Sequence, residues 1–189
     1  MMRRPLSLLT VACVALLPAH AATAEPPATT VFFGDPARCP EPVQIRMGPD
    51  AEPVALRLLD CDGRAVEDTL RRLTEMGRRG SPDGGGPLLH PALLVRLQRI
   101  AERFDGHVVQ ILGGIRTNGP PTSRHFHGRA LDLRVEGIDS AALSELLREL
   151  PQTGVGYHAD ADFVHLDVRE RARFWAASAV SLRTADSPK

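Results

Sequence analysis

The stretch SRHFHGRALDL, Ser123 to Leu133, sets two of the chain's seven histidines, His125 and His127, just ahead of a glycine and an aspartate. Farther on, FVHLDV, Phe163 to Val168, carries His165 and Asp167. Both segments alternate apolar and polar residues, and successive side chains of a strand point to opposite faces. Leu131, Leu133 and Val135 therefore share one face of the first strand, and Asp132 with Arg134 the other. Val164, Leu166 and Val168 likewise oppose His165 and Asp167. If the two strands lie in one sheet, Asp132 and His165 converge on one point, and His125, in the loop feeding the first strand, adds a third donor. Two imidazoles and one carboxylate suit a catalytic zinc whose fourth position is left for water. A structural zinc site is more often closed by four ligands, commonly with cysteine, and that pattern does not accompany these residues. Gly128 lets the backbone turn closely beside the site.

Ser123, His125, Gly128, Ala130 and Asp132 fill the fixed positions of the pattern S-x-H-x-x-G-x-A-x-D, and FVHLD supplies a second, shorter motif downstream. On these residues the chain resembles the superfamily of zinc D-Ala-D-Ala carboxypeptidases and L-alanyl-D-glutamate endopeptidases, which also includes the hedgehog signalling domain. It looks most like the exported bacterial branch that acts on peptidoglycan. The resemblance runs over roughly residues 54–175 and takes in GGIRT, Gly113 to Thr117. It implies that His125, Asp132 and His165 hold Zn2+. It also implies a carboxylate general base three residues before the last histidine, which here is Asp162.

Strand alternation alone favours Asp167 for that role, because it shares a face with His165. The expectation is Asp162 as base and Asp167 orienting an imidazole, with Asp167 as the alternative base. Arg116 is the candidate to hold a substrate carboxylate through two parallel hydrogen bonds, and Ser123 to donate a hydrogen bond to the loop or the ligands. His127 falls at a variable position of the pattern and is read as a neighbour, and His158 as an ordinary surface histidine. The resemblance implies hydrolysis of D-amino-acid-containing bonds in peptidoglycan stem peptides or cross-links. The alternative, which the hedgehog resemblance suggests, is a zinc-containing binding module with little hydrolytic activity. Relatives usually have a glycine soon after the H-x-D motif, whereas this chain reads Val168-Arg169-Glu170-Arg171. The site's C-terminal wall, and with it substrate preference, is expected to differ.

The rest of the chain frames these residues. Residues 1–24 carry Arg3 and Arg4, an apolar run and a small-residue end, which describe a secretory signal peptide. The run is shorter than the roughly 20 residues a membrane span requires. About 165 residues then remain, enough for one domain with its own core. Cys39 and Cys61 are the cysteines outside the leader and read as one disulfide of an exported, periplasmic or extracellular protein. Formal net charge is zero, which gives no basis for attraction to nucleic acid or an anionic membrane. A monomer is expected.

Residues 25–53 are proline-rich and read as an irregular extension. Residues 54–175 form the peptidase-like domain, with strands at 54–59, 107–114, 129–135, 154–157 and 163–168. Helices are expected at 66–76 and 91–104, with a third capped by Asp139. Residues 77–87 read as a flexible loop and 176–189 as a fraying tail. Strands and helices without regular βαβ alternation predict an α+β fold, with a mostly antiparallel sheet and helices packed on one side.

Overall fold

The computed structural model describes residues 38–78, 86–158, 160 and 162–176. The leader expected over 1–24, most of the loop expected at 77–87 and the tail beyond 176 lie outside the described residues. In chain order the elements are β1 (Val43–Met47), β2 (Val54–Leu56), α1 (Glu67–Gly77), α2 (Ala92–Arg103), β3 (Val109–Gly113) and β4 (Ala130–Val135). These are followed by α3 (Ser140–Arg148), β5 (Thr153–His158), β6 (Phe163–Val168) and β7 (Arg173–Ala176).

The helices form where apolar residues recur at helical spacing. On α2, Leu93, Leu94, Leu97 and Ile100 make one buried stripe. On α1 the stripe is Leu70 and Leu73, with Glu67 and Asp68 favourably placed in the first turn. Asp139 caps α3, its carboxylate accepting from the Ala141 N–H at 2.6 Å. All three helices pack into a single core with Ile45, Val109, Leu131, Leu133, Val155, Val164 and Leu166 of the sheet.

Among the described residues seven strands form one sheet, in the order β2-β1-β3-β4-β6-β5-β7. The α+β class holds, but the expectation of a mostly antiparallel sheet is corrected to a mixed one. β1 pairs parallel with β3, and β7 parallel with β5. The centre, β3-β4-β6-β5, is antiparallel. Parallel neighbours need a long crossover. Here one is supplied by β2, α1 and α2, and the other by β6, which lies between β5 and β7 in the chain. β1 sits in the segment read as irregular, where the prolines flank VQIRM rather than interrupt it and Val43 and Ile45 are buried. The Cys39–Cys61 disulfide links the segment before β1 to the turn after β2.

Candidate metal centre

The register of the two central strands brings the chemistry together. Asp132 of β4 lies directly opposite His165 of β6. Their side chains stand on the face away from Leu131, Leu133, Val164 and Leu166, which are in the core. The motif loop folds back under β3, with Arg116 N–H donating to the His125 carbonyl, and delivers the His125 ring to the same point. His125 Nε2 and His165 Nδ1 are 3.1 Å apart. Asp132 Oδ1 lies 2.9 Å from His165 Nδ1 and 3.2 Å from His125 Nε2. Among the described residues these three form the one group of histidine, cysteine, aspartate or glutamate placed to share a metal ion.

The donor set fits zinc. Ligand atoms around a tetrahedral zinc, with bonds of about 2.0–2.2 Å, stand about 3.3–3.6 Å apart, so this triangle needs only slight expansion. Each ligand's other polar atom is also tied, which is how outer partners fix tautomer and orientation. His125 Nδ1–H donates to the Gly114 carbonyl at 2.7 Å, leaving Nε2 free to ligate. His165 Nε2–H donates to Asp167 Oδ2 at 3.2 Å, leaving Nδ1. Asp132 Oδ2 accepts from the Arg116 guanidinium. Asp167 is itself clamped by Arg169, whose Nε–H donates to Oδ1 at 2.7 Å.

Before an ion binds, His125 Nε2 and His165 Nδ1 can carry the protons that ligation displaces, and the electrostatics of that state follow from the same contacts. Burial alone would raise the Asp132 carboxyl, but hydrogen bonds from His125 and His165, with the charges of His125 and Arg116, outweigh it and hold the group well below the usual carboxylate range. Burial also works against Asp167, and hydrogen bonds from His165 and Arg169 overcome it to hold the carboxyl at about 2. For His165 burial favours the neutral ring, but hydrogen bonds to Asp132 and Asp167 win and raise its pKa. Both carboxylates are therefore ionised at neutral pH, as metal ligation and imidazole orientation require.

The other residues singled out from the sequence lie as follows. Arg116 reaches the site, on the far oxygen of Asp132, and its side chain stays half-exposed. Ser123 sits in the loop with its N–H donating to Pro120. His127 turns outward, donating to the Pro121 carbonyl at 2.6 Å. Asp162 is at the entry to β6, mostly exposed, accepting from Ser140 Oγ at 2.9 Å and 3.6 Å from Arg134. Two residues to which the sequence gives no site role lie close to the centre. His158 is buried rather than a surface histidine: it stacks on Phe163 and its Nδ1 has no hydrogen-bond partner. Its alternation with Gly156 on β5, opposite His165, was the available signal. Arg169 was read only as part of a segment lacking a glycine.

No curated protein and no solved structure matches the chain. The family model described as Peptidase M15 matches residues 66–167, from the start of α1 to the aspartate behind His165. That span holds all three candidate ligands and their supporting hydrogen bonds, and by it the chain belongs to the Peptidase M15 family of zinc-dependent peptidases.

Proposed function

We propose that the protein is an exported zinc peptidase that cleaves D-amino-acid-containing bonds in peptidoglycan stem peptides or cross-links. The observation that carries this reading is the convergence of His125 Nε2, His165 Nδ1 and Asp132 Oδ1, each with its remaining polar atom engaged elsewhere. Zinc held there would bring the pKa of a bound water towards about 7 and polarise a carbonyl. The chain's own residues do the rest. Arg116 has five N–H donors, of which Asp132 engages part, and the remainder suit a substrate carboxylate. It also borders a cleft of about 310 Å³ lined by Met47, Gly113, Ile115 and Asn118, which lies beside the three ligands rather than over them. Asp167, with both oxygens occupied, orients His165. Asp162, three residues before His165 and mostly exposed, is the proposed base; it contacts Ser140 and Arg134 rather than the three ligands, so it must swing from those partners to take the proton. Export is supported by the basic, apolar and small-residue leader pattern together with the disulfide.

The engagement of Asp162 with Ser140 and Arg134 favours a second reading, in which the domain keeps its metal and binds cell-wall peptides without turning them over. Hydrolysis of stem peptides ending in D-Ala-D-Ala or containing L-Ala-D-Glu, followed by mass spectrometry, separates the two. Asp162→Ala should lower kcat by about 10²- to 10⁴-fold with zinc content unchanged. Wild-type turnover in that variant would remove Asp162 from the mechanism. Bound zinc with no cleavage of either peptide would favour the binding module.

A further inference from the structure

Arg169 follows the H-x-D motif closely, in the segment that departs from the expected glycine. Asp167 is fully buried, and a buried carboxylate is costly unless paired and hydrogen-bonded. His165 cannot supply the opposite charge while its Nδ1 serves as a ligand, because a ligating imidazole is neutral. Arg169 can. Its Nε–H donates to Asp167 Oδ1 at 2.7 Å and its terminal nitrogen to Oδ2, a two-point fork across the carboxylate. Its backbone N–H is anchored on the Gln152 carbonyl at 3.0 Å. The guanidinium lies 5.3 Å from the centre of the Trp175 ring, which in turn lies 5.3 Å from the His165 ring.

The neighbouring strand is shaped for this fork. Gly154 of β5 pairs with Asp167, and a side chain there would collide with Arg169 Nε and with both Asp167 oxygens. The space over Gly154 is filled by the ion pair itself.

We propose that Arg169 is a positioning residue for the metal centre, acting through Asp167 to hold His165 in the orientation that presents Nδ1. The inference rests on the zinc reading above and extends it by one residue. Partners of this kind are worth about 10- to 100-fold in metal affinity.

The experiment is zinc affinity of the full chain by chelator competition at neutral pH, for wild type, Arg169→Gln, Arg169→Lys, Asp167→Asn and the Arg169→Gln/Asp167→Asn pair. Arg169→Gln should weaken zinc by about 10- to 100-fold. Arg169→Lys should weaken it less than Arg169→Gln because the charge is kept, but still measurably, since a point charge cannot grip both oxygens. The paired variant should bind no more weakly than Asp167→Asn alone, because the arginine acts only through that carboxylate. Wild-type affinity in Arg169→Gln, or losses that simply add in the paired variant, would overturn the proposal. If Arg169→Gln does not fold, Arg169→Lys decides, and wild-type affinity there overturns the proposal equally. A wild type that takes up no zinc would defeat the metal reading itself, and the wild-type arm shows this before any variant is compared.

Discussion

Replacing Gly128 by alanine tests whether the motif glycine is there for its backbone alone or also for what passes beside it. Gly128 has φ +64°, and a side chain in this left-handed region costs at least about 1 kcal/mol. A Cβ would also collide with the Leu88 carbonyl oxygen and lie 3.1 Å from Leu88 C and 3.4 Å from Leu89 Cα. These are backbone atoms and cannot rotate away. Relief requires parting residues 88–90 from the motif loop and stretching the bond from His90 N–H to the Gly128 carbonyl, 2.8 Å, worth about 1 kcal/mol. Together the terms reach about 2–3 kcal/mol.

Gly106 is the control, because it has φ +77° with nothing within 4 Å of a built Cβ, so alanine there meets only the backbone term. In a domain of this size 1 kcal/mol moves Tm by about 3–4 °C. Gly128→Ala should therefore melt about 6–12 °C below wild type and Gly106→Ala about 3–4 °C below. Circular-dichroism melts in the presence of chelator keep zinc linkage out of the comparison. Equal shifts for the two variants would refute the close-approach argument.

Two further outcomes can be measured on the same material. Closing the 22-residue separation between Cys39 and Cys61 stabilises the chain by about 3 kcal/mol in the loop-entropy picture; the paired Cys39→Ser/Cys61→Ser variant should lose that in denaturant titration, and an unchanged midpoint would contradict it. Asp167 has its folded pKa depressed from 3.8 to about 2, so its stabilisation is complete above 3.8 and is lost as pH falls through about 2. The stability gap between wild type and Asp167→Asn should stay level from about pH 4 to 6 and shrink below about pH 4, and a gap that persists into acid would count against the ion pair.

The centre of the fold was legible because its signals are local. Alternation along RALDLRV and FVHLDV put Asp132 and His165 on the non-core faces, and direct pairing of the two strands then made them neighbours. The helical stripes and the Asp139 cap were readable for the same reason. What escaped depends on long-range placement. Nothing in VQIRM says that β1 docks parallel to β3, since that follows from where the crossover through α1 and α2 sets it down. β7 was missed because RFWA is mostly exposed and lies at the sheet edge, so it shows no apolar alternation. The clamp of Arg169 on Asp167 needs Gly154, from another strand, and sequence offers no hint of that pairing. Asp162 came from its position relative to His165 in the resembling family, and its observed partners, Ser140 and Arg134, belong to elements that strand alternation could not relate to it.

The central claim is that His125, Asp132 and His165 hold a zinc ion that the protein uses to cut peptides. Zinc content and stem-peptide hydrolysis, measured on one preparation each of wild type and His165→Ala, test it most directly. A single zinc per chain with cleavage in wild type, both lost in the variant, is the predicted result. Wild type without zinc after reconstitution at neutral pH, or His165→Ala retaining full zinc and activity, would contradict it.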